Sequence, residues 1–358
     1  MEAARRAITL LSNRSILPLA AHVRRIAVIG PLADAPAEML GPWSAAGDPD
    51  NPLTVLDGLK AGLPQREILF LAAGSIDGQD IGGIGPACKL AATADVVVLC
   101  LGEAAGMSGE AASRANPGLP GRQRELAAAV LETGAPVVAI LFSGRPLMTT
   151  WLVERAHATL AAWFLGDMAG QAIADVLTGQ VNPTGRLPVT WPRDVGQIPI
   201  FHAARSSGRP ADAANRFTSR YLDLSNEPLF PFGHGLSFSA TKLTNLRADR
   251  TEFTPTDVIE IQVDAANVGT ITTEETVFLF IHDCVARVAR PTMELKAWAK
   301  VALASEQTKT ITFTLTADSF CYLNESFGPV VEPGEFDIMV GVSANREALL
   351  SIRVRVCS

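Results

Sequence analysis

Two rhythms of apolar and polar positions divide this chain. Between residues 25 and 179, compact apolar runs alternate with stretches of helical spacing. The runs are RIAVIG, REILFLAA, ADVVVLC, APVVAILF and ATLAAWF, and the stretches between them include LTVLDGLKAGL, RQRELAAAVLETG and GQAIADVLTG. These runs predict five strands, and ADVVVLC has the length and the β-branched content of a buried parallel strand. Their alternation with helices predicts an α/β sandwich, a mainly parallel sheet covered by helices.

From residue 241 to 356 the period shortens to two. KLTNLRA, VIEIQVDAANVG, TVFLFIHD, LKAWAKVAL, TKTITFTLT, EFDIMVGV and LLSIRVRV read as seven short strands over about a hundred residues, the pattern of an immunoglobulin-like β-sandwich. No Cys-Trp-Cys spacing accompanies them, which points to the fibronectin type III kind. The fold class expected is therefore α/β plus all-β. Residues 182–239 between the halves are rich in Pro, Gly, Arg and aromatics, and aromatics seek burial, so this is expected to be an ordered, wrapping connection. Residues 1–24 read as a lead-in helix followed by a loop. The resulting domains are 1–24, 25–181, 182–240 and 241–358.

Length and composition agree with two cores. A chain of 358 residues exceeds what one core usually serves, and 48% hydrophobic with 19% charged residues describes well-packed domains. A net charge of -7 without a Lys/Arg cluster speaks against nucleic acid as a partner, because phosphate neutralisation supplies most of that affinity. No apolar run approaches the roughly 18 to 20 residues that span a bilayer, so no membrane association is expected. No signal peptide is visible either, and periplasm and cytoplasm both stay open. The five cysteines are scattered with no CxxC pair, and His202, His234 and His282 accompany no ligand-spaced carboxylates. Neither a metal site nor a cofactor is expected.

Candidate chemistry concentrates in residues 101–123, LGEAAGMSGEAASRANPGLPGRQ, which leave the carboxyl end of a predicted strand as a long loop carrying Glu103 and Glu110. In open α/β sheets ligands bind at that end of the strands, and long loops in compact domains tend to be functional. The competing reading is that both glutamates are solvated loop charges. Two other enzyme classes lack their motifs. IGPLAD after the first strand has no GxGxxG for a dinucleotide, and GMSGE puts glutamate where a serine hydrolase elbow needs its second glycine.

The blocks NRSILPL, RRIAVIGPLAD, MLGPWSAAG, LTVLDGLKAG, LGEAAGMSGEAASR, LPGRQRELAAAV, FSGRPL, WFLGDMAGQAIADVLTGQVNPTGRLPVTWPRDVGQIP and FTSRYLDLSNEPLFPFGHGLSF run in order along the chain. Together with the terminal sandwich they resemble the carboxyl-terminal portion of glycoside hydrolase family 3, in particular its bacterial periplasmic-type β-glucosidases. In that family a TIM barrel carries the aspartate nucleophile in an SDW- or SDY-like segment, and the α/β sandwich lends the acid/base. Neither segment occurs here. The resemblance thus implies a retaining β-glucosidase component whose barrel and nucleophile lie outside this chain, and which would be inactive alone. A noncatalytic carbohydrate-binding or scaffold protein derived from such an enzyme is the alternative.

Residue by residue, the family pattern makes Glu110 the acid/base and leaves Glu103 to anchor the loop by accepting backbone or Arg114 hydrogen bonds. Trp43, in the Gly-Pro-rich GPWSAAG loop, offers an indole for a sugar ring to stack on. Asp48, with Asp50 beside it, could accept sugar hydroxyls, and Arg114 joins the expected substrate-binding set. Arg145 and Arg220 read as ion-pair anchors, since the guanidinium fork holds a carboxylate or two carbonyls. The implied partners are a β-glucoside or short oligosaccharide, with either a separate TIM-barrel chain or a second copy of this one.

Overall fold

The structure is a computed structural model that describes residues 1–212 and 214–358. It contains two compact units, one of Met1–Arg186, Pro192–Ile198 and Gly235–Phe238, the other of Leu187–Trp191, Pro199–His234 and Ser239–Ser358.

The first unit is built on six strands: β1 Thr9–Asn13, β2 Arg25–Ile29, β3 Glu67–Leu71, β4 Val96–Gly102, β5 Val137–Phe142 and β6 Ala158–Ala161. Their order in the sheet is β1-β6-β5-β4-β2-β3. Five strands run parallel, and β1 pairs antiparallel with β6 along one edge. This edge strand corrects the reading of residues 1–24 as helix and loop. TLLSN is too short to announce itself, and its partner is about 150 residues away.

Every residue of β4, β5 and β6 is buried, as expected for strands covered on both faces. Helices α1 Glu2–Ala7, α2 Pro36–Leu40, α3 Val55–Gly62, α4 Ile84–Ala91, α5 Gln123–Glu132, α6 Thr150–Val153 and α7 Ala169–Thr178 complete the unit. The α1, α3 and α7 helices share one cluster with Ile26, Val28, Val98 and Ile140, while α4 and α5 pack on each other and on β2 and β4. Thr54 starts α3 with a reciprocal capping box to Asp57. Helices α3 and α7 cross at backbone contact: a methyl group on Gly58 would lie 2.0 Å from the Gly170 carbonyl oxygen, so no other residue fits there.

The chain leaves β2 for β3 on one side and returns to β4 on the other. Strand order therefore reverses between β2 and β4. The loops after these strands, residues 30–54 and 103–122, flank the crevice where open α/β sheets bind their ligands.

The second unit has strands β7 Thr241–Ala248, β8 Glu252–Phe253, β9 Ile259–Asn267, β10 Thr273–Asp283, β11 Glu294–Leu303, β12 Thr308–Leu315, β13 Tyr322–Leu323, β14 Pro329–Val330, β15 Gly334–Gly341 and β16 Leu350–Val356. The sheets β11-β10-β15-β16-β8 and β12-β9-β7 enclose a core of alternate residues such as Ile259, Ile261, Val263, Leu279, Ile281, Ile338 and Val340. All seven expected strands are present. On the outer face of the larger sheet, Phe278 and Phe280 are covered by Phe232 and His202 from the aromatic connection.

Candidate active site

Strand β4 ends at Gly102, and the next residue, Glu103, donates its backbone N–H to the Phe142 carbonyl at 2.8 Å. This keeps Glu103 at the sheet, where its side chain has no solvent exposure. A buried carboxylate needs donors. Four are supplied: Arg114 Nη1 donates to Oε1 at 2.6 Å, and Ser143 Oγ, Ser108 Oγ and Arg145 Nε donate to Oε2 at 2.6, 2.9 and 3.2 Å. Burial pushes the Glu103 carboxyl up, but Ser143, Arg114, Ser108 and Arg145 together outweigh it and hold the group below the usual carboxylate range. Glu103 is thus held in its anionic form.

The same cluster shapes the loop beyond it. Arg145 Nη2 binds the carbonyls of Met107 and Ala112, gripping the loop on both sides of its tip. Ser108 Oγ also accepts the Gly144 N–H at 3.1 Å. Between these clamps Gly109 and Ala111 both have positive φ, +94° and +58°, and the turn they make turns Glu110 outward. Glu110 is exposed, and no hydrogen-bond partner reaches its carboxylate among the described residues.

The loop after β2 meets this tip. Gly109 abuts Pro42 and Trp43: a methyl group added there would lie 3.0 Å from Pro42 Cβ and 3.5 Å from Trp43 Cε2. Glu38 of α2 accepts the Ala105 N–H, a second tie between the two loops. Trp43 itself keeps 70% of its surface exposed, beside the segment that carries Glu110. Asp48 is exposed and accepts the Asp50 N–H at 3.0 Å, closing its own turn. Arg114 spends one nitrogen on Glu103 and remains partly exposed.

Of the residues singled out in the sequence, the structure brings together Glu103, Arg114 and Arg145 at the base of the loop. Gly109, beside Glu110, meets Trp43 at its tip. Sequence reasoning missed Ser108, Ser143 and Glu38. Ser143 meets Glu103 only once β4 and β5 lie side by side, and Glu38 meets Ala105 only once the loops after β2 and β4 come together; Ser108, five residues from Glu103, and a hydroxyl directly after the apolar run of β5 were usable signals. In the second unit, His282, Cys284 and Asp337 converge, which their sequence separation did not suggest.

A parallel-sheet domain whose switch-point crevice presents a free glutamate beside an open indole has the makings of a carbohydrate-processing site. Residues 8–238 match the glycosyl hydrolase family 3 C-terminal domain and residues 275–344 the fibronectin type III-like domain. The chain belongs to glycosyl hydrolase family 3. It is 35% identical over 369 residues to the periplasmic β-glucosidase of Salmonella typhimurium, covering 96% of this chain and 48% of that enzyme. It is 34% identical to a β-xylosidase of Formosa agariphila, over 99% and 50% of the two chains. A crystal structure of β-glucosidase from Listeria innocua in complex with isofagomine superposes with a TM-score of 0.92 at 35% identity, over 99% of this chain and 49% of the other. That β-glucosidase has also been solved with glucose, and a mutant of it with laminaribiose. The chain spans about half the length of the curated relatives it matches.

Proposed function

We propose that this chain is the acid/base-bearing half of a retaining β-glucosidase-type glycosidase, acting on terminal β-D-glycosides. The nucleophile comes from a barrel domain that is not among these 358 residues, carried on another polypeptide or on a longer form of this one. The single observation that supports the assignment is the division of labour in the loop after β4. Glu103 is buried and held as an anion by four side chains, whereas Glu110 stands exposed at the tip beside Trp43.

Retaining hydrolysis needs two carboxyl groups about 5 to 5.5 Å apart, one to attack the anomeric carbon and one to protonate the departing oxygen and later deprotonate water. Glu110 fills the second role. Docked against a barrel, its exposed carboxyl would stand across the scissile bond from the nucleophile, at the separation retaining hydrolysis needs. Trp43 gives the pyranose ring an apolar surface, and Arg114 and Asp48 supply polar contacts around it. The Salmonella, Formosa and Listeria relatives support a β-glucoside or β-xyloside as substrate class.

The test supplies a family barrel in trans and compares two aryl β-glucosides with good and poor leaving groups. Glu110→Gln is expected to lower turnover of the poor one by about 10² to 10⁴ while sparing the first step of the activated one, since a good leaving group needs little proton assistance. Azide then restores turnover of the activated substrate by replacing the water that the missing base no longer activates. Equal losses on both substrates, or the leaving-group pattern in Glu103→Gln instead, would refute the assignment. The chain alone is expected to hydrolyse neither glycoside.

A further inference from the structure

We infer that His282, Cys284 and Asp337 in the fibronectin type III-like unit form a binding site for a borderline-soft divalent cation of the zinc class. The backbone dictates the grouping. His282 and Asp337 are direct cross-strand partners on β10 and β15, and Cys284 follows two residues after His282, on the same face of the extended chain. The Cys284 N–H donates to the Glu335 carbonyl, which prolongs the β10–β15 pairing and keeps the thiol over Asp337.

The distances suit a tetrahedron. Asp337 Oδ2 lies 3.8 Å from His282 Nδ1 and 3.6 Å from Cys284 Sγ, and the ligand atoms of all three residues fall within 4.8 Å of one another. Zinc bonds of about 2.0 Å to oxygen and nitrogen and about 2.3 Å to sulfur put neighbouring ligands roughly 3.3 to 3.5 Å apart in tetrahedral geometry. The two contacts of Asp337 Oδ2 close with shifts of a few tenths of an ångström, and bringing the His282 and Cys284 ligand atoms, within 4.8 Å of each other, to that spacing takes a side-chain movement of up to about 1.3 Å. An imidazole, a thiolate and a carboxylate also carry two negative charges between them, which match a divalent ion.

The alternative reading is a polar surface cluster whose one anion already has its counter-ion, because Arg353 grips Asp337. Arg353 Nε donates to Oδ1 at 2.8 Å, and Nη2 reaches Oδ2 more loosely at 3.2 Å. The shorter bond leaves Oδ2 as the oxygen that turns toward His282 and Cys284. In metal sites a ligating carboxylate is commonly held through its other oxygen in this way, so Arg353 acts as a positioning residue. With His282 34% and Asp337 24% exposed, an ion can enter from solvent and keep water as its fourth ligand. Binding exchanges the thiol proton of Cys284, released to buffer, for a sulfur–metal bond.

Cobalt(II) titrated into the purified chain reads the site directly. A thiolate-to-cobalt charge-transfer band in the near ultraviolet, with intense tetrahedral visible bands that zinc bleaches on displacement, is expected. Cys284→Ser should abolish the charge-transfer band, whereas Cys88→Ser, Cys321→Ser and Cys357→Ser retain it. His282→Gln and Asp337→Asn should each weaken cobalt affinity at least about tenfold, as loss of a ligand must exceed loss of a second-layer contact. Should Asp337→Asn fail to fold without its Arg353 partner, Cys284→Ser and His282→Gln carry the test, each checked for an unchanged melting temperature in chelator. No charge-transfer band in the wild-type chain, a band that survives Cys284→Ser, or an affinity that His282→Gln leaves unaltered would overturn the inference.

Discussion

The loop after β4 holds two glutamates seven residues apart that have opposite fates. At its base Glu103 has no exposure and four donors; at its tip Glu110 is exposed and lacks a hydrogen-bond partner among the described residues. The contrast separates two uses of one functional group. A carboxylate saturated with donors is held in one charge state and organises what surrounds it, whereas a carboxylate left unpaired stays open to a partner that arrives. The first makes the second usable: Arg145, oriented by Glu103, holds the carbonyls on either side of the Glu110 turn.

The largest expected effect exploits the tip. With a barrel supplied in trans, Glu110→Gln should lower turnover of a glycoside with a poor leaving group by about 10² to 10⁴, the range general acid catalysis contributes. Glu103→Gln should lower it on good and poor leaving groups alike, through a misplaced loop. Initial rates on the two aryl glycosides distinguish them, and a leaving-group dependence confined to Glu103→Gln would reverse the roles.

Next in size is the stability of the base. Removing the Glu103 charge strands Arg114 and Arg145, whose side chains are 23% exposed, and is expected to cost about 3 kcal/mol of unfolding free energy. Glu110→Gln should cost nothing measurable, in line with surface substitutions generally. Denaturant unfolding of the three proteins checks both. A Glu103→Gln protein as stable as wild type would mean that the cluster organises nothing.

The base should also sense acid. Because the folded-state pKa of Glu103 is depressed, its contribution is fully present above the ordinary glutamate value of about 4.3 and is lost as pH falls through the lower folded value. The wild-type melting temperature should therefore drop more steeply than that of Glu103→Gln as pH falls below about 4.3. Parallel curves would show that another group carries the acid sensitivity.

The fold and the site were legible in the sequence to different depths, for a physical reason. The α/β sheet and the sandwich could be read because VVVLC and VIEIQV carry their burial pattern within a few residues. The edge strand β1 could not, since its hydrogen bonds go to a strand far along the chain. Helix α4 also went unread, as IGPACKLA is only eight residues long and carries Gly and Pro in its first turn, which read as a loop. In the site the split between Glu103 and Glu110 came from family likeness; the Arg114 contact, 11 residues from Glu103, was anticipated with it, while Ser108, only five residues away, was missed. Ser143 and Arg145 are 40 and 42 residues from Glu103, and Asp337 is 53 from Cys284. Contacts made by strand adjacency have no local signature.

The smallest predicted effect probes how the base holds the tip. Ala111 has φ of +58°, a region in which a side chain costs about 1 kcal/mol relative to glycine. The clamps from Arg145 and Ser108 on the residues around it must supply that energy. Ala111→Gly should therefore relieve strain in the folded chain but loosen the unfolded one, and these oppose each other. The net change in stability is expected to stay within about 0.5 kcal/mol. What should change is order: with the strain gone the tip no longer depends on the clamp, so Arg145→Met should disorder residues 108–112 less in the Ala111→Gly background than in wild type. Amide hydrogen exchange across those residues in the double-mutant cycle measures this coupling. Strictly additive exchange rates would show that the clamp and the turn are independent, and that the base of the loop does not govern where Glu110 stands.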